Sequence, residues 1–244
     1  MIPAEGVMTI SMALFSICLR LWHGDCRAPT FGGRLREDST NTTVSPLDEL
    51  HNEISECRVC EPNVRGFRKP PRLDRGEIGR VMVIGQGPGA AELRGTRAFA
   101  GQSGRTLDSW LIASGASAAN PRKAIYFTSV IKCVCPRGKF FAQMAQTCSG
   151  FLHRQILHIR PELIITLGRS AFEALRVVNE DYNDALCVPR NTADFLLVNQ
   201  YGFHFNLLHW PHPSGLNRWL NAAENQDRLR TSFKFVGSFM GGEE

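Results

Sequence analysis

Three stretches of the 244-residue sequence carry residue types at spacings that can do chemistry. The first is a set of thiols: Cys57-Arg58-Val59-Cys60 is a CxxC, and Cys133, Cys135 and Cys148 follow downstream. Thiols so placed can form a disulfide pair, a zinc site, a redox-active dithiol or an iron–sulfur cluster. Disulfides fit poorly because no secretory signal is recognisable, but spacing alone does not choose between Zn²⁺ and [4Fe–4S]. Cys18, Cys26 and Cys187 have no partner at ligand spacing and read as ordinary free thiols. The second stretch is HWPHPSGLNRWLN, His209 to Asn221, in which Pro211 and Pro213 bracket His212. Two prolines remove two backbone donors and fix two φ angles, so the imidazole stands on a stiff, turning backbone. Leu216, just past the Ser214-Gly215 turn, must either pack on the core or enter a ligand. The third stretch is GQGPG, Gly85 to Gly89. It has neither the GxGxxG spacing nor a following GK[ST], so a nucleotide-binding, flavodoxin-like or redox protein is a poor reading of it.

Regular elements must hold these stretches in place. Ser45-Pro46-Leu47-Asp48 has the form of a helix start, and Leu47, Leu50 and Ile54 then share one face on the way to Cys57. RVMVIG (80–85) is a short buried strand that stops at a glycine. A helix is predicted over 105–114, with Leu107, Trp110 and Leu111 inward and Gly115 as its stop. AIYFTSVIKC (124–133) reads as a second strand, 144–159 as a helix ended by Pro161, and LIITLG (163–168) as a third strand. Ala171, Phe172 and Leu175 mark a further helix, and the alternation in FHFNLLHW (203–210) gives a last strand. The expected fold is therefore α/β, with three layers around a central, mainly parallel four-stranded sheet. Ligands of such sheets sit beyond the carboxyl ends of the strands. The segments Gly85–Gly89, Ser129–Cys135 and His209–Arg218 should converge there.

Length and composition set the bounds. With 43% hydrophobic and 21% charged residues, 244 positions suffice for one α/β core and a tail. The net charge of +5 permits an anionic partner without requiring one. Arg65, Arg68, Lys69, Arg72, Arg75 and Arg80 cluster around Pro70-Pro71, as a solvated linker or a phosphate-facing surface. The apolar run MTISMALFSICLRLW (8–22) is interrupted by Arg20, is too short to span a bilayer and lacks the flanks of a signal peptide. RLREDSTNTTVSP, which follows, reads as a linker. We expect an N-terminal extension over 1–44, poorly ordered, a domain over 45–236 and a tail over 237–244, in a cytoplasmic monomer that does not bind membranes.

Four segments in this order resemble the uracil-DNA glycosylase superfamily, most closely its family 4-like, iron–sulfur-containing bacterial branch. They are ECRVC near the domain start, GQGPGAAELRGTRAFAGQSGRTLDSWL after the first strand, YFTSVIKCVCP with a later TCSGFL, and HPSGLNRW after the last strand. The resemblance covers roughly Ser45 to Phe235. It implies a [4Fe–4S] cluster on Cys57, Cys60, Cys133 and Cys148, with Cys135 as an extra thiol. It further implies a DNA repair enzyme that flips uracil, or another deaminated base, out of DNA and hydrolyses its N-glycosidic bond. By the same resemblance Gln86 and Gly87 contact the base and its water, Phe99 stacks on the base and Ser129 meets its edge. Ser214, Leu216 and Arg218 engage the DNA, and His212 faces the charge that develops on the leaving base.

The family pattern is departed from in two places, the first loop and Ser129. Gln86 stands where typical members carry an acidic residue, and Gly87 where neighbouring families use Asp or Asn. An amide can orient water by hydrogen bonding but cannot act as a base, which leaves Glu92, at an acidic family position, as the nearby carboxylate. Ser129 replaces an asparagine that reads the uracil edge, and one hydroxyl does not present the same donor and acceptor pair. A protein of this fold that binds damaged DNA, or captures it covalently with little turnover, is the rival expectation.

Overall fold

A computed structural model describes residues 45–70, 72–95, 97–135, 141–175 and 196–240, all within the unit Val44–Glu244. The run at 8–22, nearly all of the expected linker, and Cys18, Cys26 and Cys187 lie outside the described residues. The short apolar runs become strands: β1 (Val81–Gly85), β2 (Ile125–Ser129), β3 (Leu163–Leu167) and β5 (Phe203–Trp210). These four are parallel, as expected from the βα alternation. A fifth strand, β4 (Leu196–Gln200), adds antiparallel to β5 and completes the order β2-β1-β3-β5-β4. Tyr201 and Gly202 join β4 to β5 with φ of 61° and 78°, the pair of left-handed residues that a two-residue hairpin turn requires.

Successive residues of each strand bury opposite faces. Met82, Ile84, Tyr126, Ile164, Phe205 and Leu207 face one layer, formed by α1 (Pro46–Glu56), α3 (Phe141–Ile159) and α4 (Arg169–Leu175). Val83, Phe127, Ile165, Leu208 and Trp210 face the other, formed by α2 (Gln102–Ala113) and α5 (Ala223–Met240). The sequence reading did not identify β4 or α5. The α5 helix runs to Met240, past the boundary expected at residue 236, and anchors the sheet when Trp210 Nε1 donates to Ser232 Oγ at 2.8 Å.

The chain leaves β1 in one direction to β2 through α2, then returns past β1 to β3 through α3. The strand order therefore reverses between β1 and β3, and the carboxyl ends of that pair form a crevice. Strand β2 stops at Ser129, four residues before the expected end. The backbone there turns across β1, with Val130 and Ile131 donating their N–H groups to Gly85 O and Gln86 O at 2.9 and 3.1 Å. Helix α1 starts as expected: Ser45 caps it by accepting the Asp48 N–H, Leu50 and Ile54 are buried, and Glu53 pairs with Arg154 of α3. Among the described residues no helix is long and apolar enough to cross a membrane.

Candidate active site

The first side of the crevice is built on close backbone approach. A Cβ on Gly85 would stand 2.7 Å from the Phe99 ring, and one on Gly87 would stand 2.5 Å from Ile131 Cγ1. Glycine at both places lets the Gly85–Gly89 loop lie against Phe99 on one side and the 129–131 turn on the other. Gln86 is half-buried between them. Ser129, paired with Gly85 at the last rung of β1 and β2, donates its hydroxyl to Ile131 O at 2.7 Å. Behind it the buried Lys132 ammonium donates to Thr128 Oγ1, Ser129 O and Gln155 Oε1, and burial pushes its pKa well down.

Phe99 occupies an unusual backbone position. Its φ is 53°, a left-handed conformation that costs a non-glycine residue on the order of 1–2 kcal/mol. The surrounding hydrogen bonds hold it. Glu92 is buried, and its two carboxylate oxygens accept the N–H groups of Gly89 and Ala100, each at 3.0 Å. Arg122, on the other side, donates to Ala98 O and Phe99 O and pairs with Asp108. The Phe99 ring meets Phe127 edge-on, with centroids 5.9 Å apart.

The second side is the loop after β5. Gly168 closes β3 with φ of 80° and donates its N–H to Trp210 O at 2.8 Å; a Cβ there would be 3.0 Å from His212 Cβ. The His212 loop thus sits directly over the end of β3. Asn217 braces the loop by donating to His212 O at 3.0 Å while its Oδ1 accepts the Trp219 N–H. The His212 imidazole is half-buried and has no hydrogen-bond partner among the described residues. Burial lowers its pKa below the ordinary 6.5, which favours the neutral ring. His209, by contrast, is buried on β5 with Nδ1 3.0 Å from Thr166 Oγ1, a core histidine. Leu216 is 92% exposed at the tip of the turn, next to the exposed Arg218 and the half-buried Ser214, which rules out the core alternative for Leu216. Strands β1 and β5 lie two positions apart in the sheet, with β3 between them, so their backbones are roughly 10 Å apart.

The thiols gather on the other flank of β2. Cys60, Cys133 and Cys148 are buried in one cluster and Cys57 is half-buried at the end of α1; none forms a disulfide. Burial pushes the Cys133 thiol up to about 11 and those of Cys60 and Cys148 upward. The other thiols of this set add to each shift, while Lys69 acts against it at Cys60 and Cys133, and Lys132 at Cys148. Four thiols within electrostatic reach of one another, with cations beside them, are a donor set suited to a group that binds as thiolate complexes. Among the described residues no three potential ligands converge as they would on a single ion. A cubane asks for a looser arrangement, because each thiolate binds its own iron.

The sequence profile of the Uracil DNA glycosylase superfamily matches residues 77–234, well over half of the chain and including both sides of the crevice. The chain belongs to that superfamily. It is 25% identical to the type-4 uracil-DNA glycosylase of Archaeoglobus fulgidus over 202 residues, 82% of this chain and 96% of that protein. It is 34% identical to the type-4 uracil-DNA glycosylase of the bacterium Thermotoga maritima over 132 residues, 53% of this chain and 66% of that protein. A type-5 uracil-DNA glycosylase of Pyrobaculum aerophilum is 30% identical over 152 residues, 57% of this chain and 63% of that protein.

Within this superfamily member, Gln86, Gly87, Phe99 and Ser129 meet around the carboxyl ends of β1 and β2, and His212 stands over β3. Leu216 and Arg218 lie apart, on the exposed tip of the second loop. Sequence reasoning missed Arg122, Lys132 and Asn217. An Asn two residues before Trp219, at the start of a helical turn, was a recognisable cap signal. Arg122 and Lys132 carry none, since their partners are carbonyls brought in by the tertiary fold.

Proposed function

We propose that this chain hydrolyses the N-glycosidic bond of uracil, and of other deaminated bases, in DNA. The observation that carries the reading is a half-buried imidazole, His212, with no hydrogen-bond partner among the described residues, on the loop over the end of β3 beside the β1 end that bears Gln86 and packs on Phe99. In this reading the base leaves the helix, stacks on Phe99, contacts Gly87 and presents an edge to Ser129. Cleavage passes through an oxocarbenium-like sugar with negative charge growing on the departing base. His212 donates a hydrogen bond to that charge, an interaction worth on the order of 3–4 kcal/mol in the transition state. Gln86 orients the attacking water. Leu216 fills the space that the flipped base vacates, while Ser214 and Arg218 hold the backbone. Glu92 acts as a brace, because both of its oxygens already accept backbone N–H groups.

Cys57, Cys60, Cys133 and Cys148 would hold a [4Fe–4S] cluster, which when bound supplies a one-electron centre and joins α1, the segment after β2 and α3. The colour of the purified protein tests this. A broad visible thiolate-to-iron band that is lost in Cys148→Ser supports the cluster, whereas a colourless protein with one zinc replaces it. Full colour in Cys133→Ala would move the ligand to Cys135. For the activity, the protein is incubated with a uracil-containing oligonucleotide and the products are resolved. Free uracil and abasic sites are expected. A stable or covalent complex without either would favour the binding protein, a reading that the absence of a carboxylate at Gln86 and Gly87 keeps in view.

A further inference from the structure

We infer that Arg122 is a positioning residue for the reaction and acts through Phe99. The inference rests on the reading that Phe99 stacks on the flipped base. Arg122 lies just ahead of β2, is buried, and divides its donor fork between the segment bearing that ring and Asp108. It donates to Ala98 O at 2.6 Å and to Phe99 O at 3.1 Å, and its Nε and Nη2 reach the two carboxylate oxygens of Asp108 at 2.5 and 3.2 Å. Asp108 belongs to α2, so the clamp is tied to a helix packed on the sheet. The guanidinium also lies over Phe127, 5.0 Å from its centroid, and Phe127 is the ring that Phe99 meets edge-on. Gly104 makes room for the clamp, since a Cβ there would stand 1.8 Å from Phe99 O and 3.1 Å from Arg122 Nη2.

These contacts account for the left-handed backbone of Phe99. Two consecutive carbonyls are drawn to one planar cation, which turns the chain so that the tip of the ring meets Gly85 while the ring packs edge-on against Phe127. Without the fork the segment can relax to an ordinary φ, and a ring displaced by an ångström is misplaced for stacking. Lysine cannot replace it, because a single ammonium does not span both carbonyls and a bidentate carboxylate.

A double-mutant cycle on single-turnover excision from a uracil-containing duplex tests this, run well below the melting temperatures of all variants. Phe99→Ala and Arg122→Gln should each slow excision, Arg122→Gln by on the order of 10- to 100-fold. In the Phe99→Ala background, Arg122→Gln should cost no more than about twofold. Arg122→Lys should not rescue. Asp108→Asn loosens the clamp while leaving the carbonyl bonds, and it should show the same coupling at smaller amplitude, which serves if Arg122→Gln fails to fold. An equal loss in both backgrounds, with Phe99→Ala itself impaired, overturns the role of Arg122 and leaves the stacking reading intact. A fully active Phe99→Ala overturns the stacking reading and this inference together.

Discussion

At the scale of single residues, His212 and Leu216 make opposite predictions. The partner of His212 is a charge that exists mainly in the transition state, so His212→Ala should slow single-turnover excision by at least ~100-fold with little change in DNA affinity. Because burial favours the neutral ring, that ratio should stay constant between about pH 7 and 8; an imidazolium role would make it grow as pH falls toward 6.5. Rates and binding curves for both proteins across that range decide the matter. Leu216 touches little of its own protein, being 92% exposed. Leu216→Ala should leave the melting temperature in place, since such surface changes stay within about 0.5 kcal/mol. It should slow excision from duplex DNA more than from single strands, because only the duplex must be unstacked. Equal slowing on both substrates would remove Leu216 from the helix-opening step.

At the scale of elements, the Glu92 carboxylate joins two segments that are separate in sequence, the loop after β1 and the lead-in to α2. The amide of Glu92→Gln has one acceptor oxygen for two N–H donors. The substitution should therefore cost about 1–3 kcal/mol of stability, with a moderate loss of rate from a looser Phe99 segment. A catalytic base would behave in the reverse manner, with excision abolished and stability unchanged. Thermal melts and single-turnover rates of the same preparation separate the two. The ends of β1 and β2 tell a similar story: expected to continue to Cys133, β2 stops at Ser129 because the next two N–H groups bond across to the first loop. Those two bonds bring Gln86 and Ser129 into one site.

For the whole molecule, the buried histidines tie stability to pH. Burial is the main cause that lowers His51 and His209 to about 4, with Arg75 and Arg72 adding to it at His51. A histidine depressed in the folded state binds its proton only on unfolding, so the unfolded chain holds more protons between these values and 6.5. The contribution of these two histidines should be constant above about pH 7 and fall as pH drops from about 6.5 to 4, with a slope approaching two protons. Denaturant melts over that range measure it. His209→Asn should reduce the slope by one proton; an unchanged slope would show that His209 titrates normally in the folded protein.

The sequence alone determined the layered α/β core, because five- to eight-residue apolar runs alternating with amphipathic segments bury only as parallel strands under helices. It also determined which loops carry chemistry, since Pro211, Pro213, Gly85 and Gly87 restrict or free the backbone whatever the rest of the chain does. Strand β4 and helix α5 were not read from it: β4 is a short edge strand and α5 a largely polar helix, so neither carries a strong local pattern. What tertiary structure decided are the long-range pairings of groups whose local surroundings look ordinary. Arg122 meets carbonyls 23 and 24 residues away, Lys132 reaches Gln155 on α3, and His209 is buried against Thr166 while His212, three residues on, finds no hydrogen-bond partner for its ring among the described residues. A cation or an imidazole acquires its role from the acceptors and the burial that surround it, and those are supplied only when distant segments pack together.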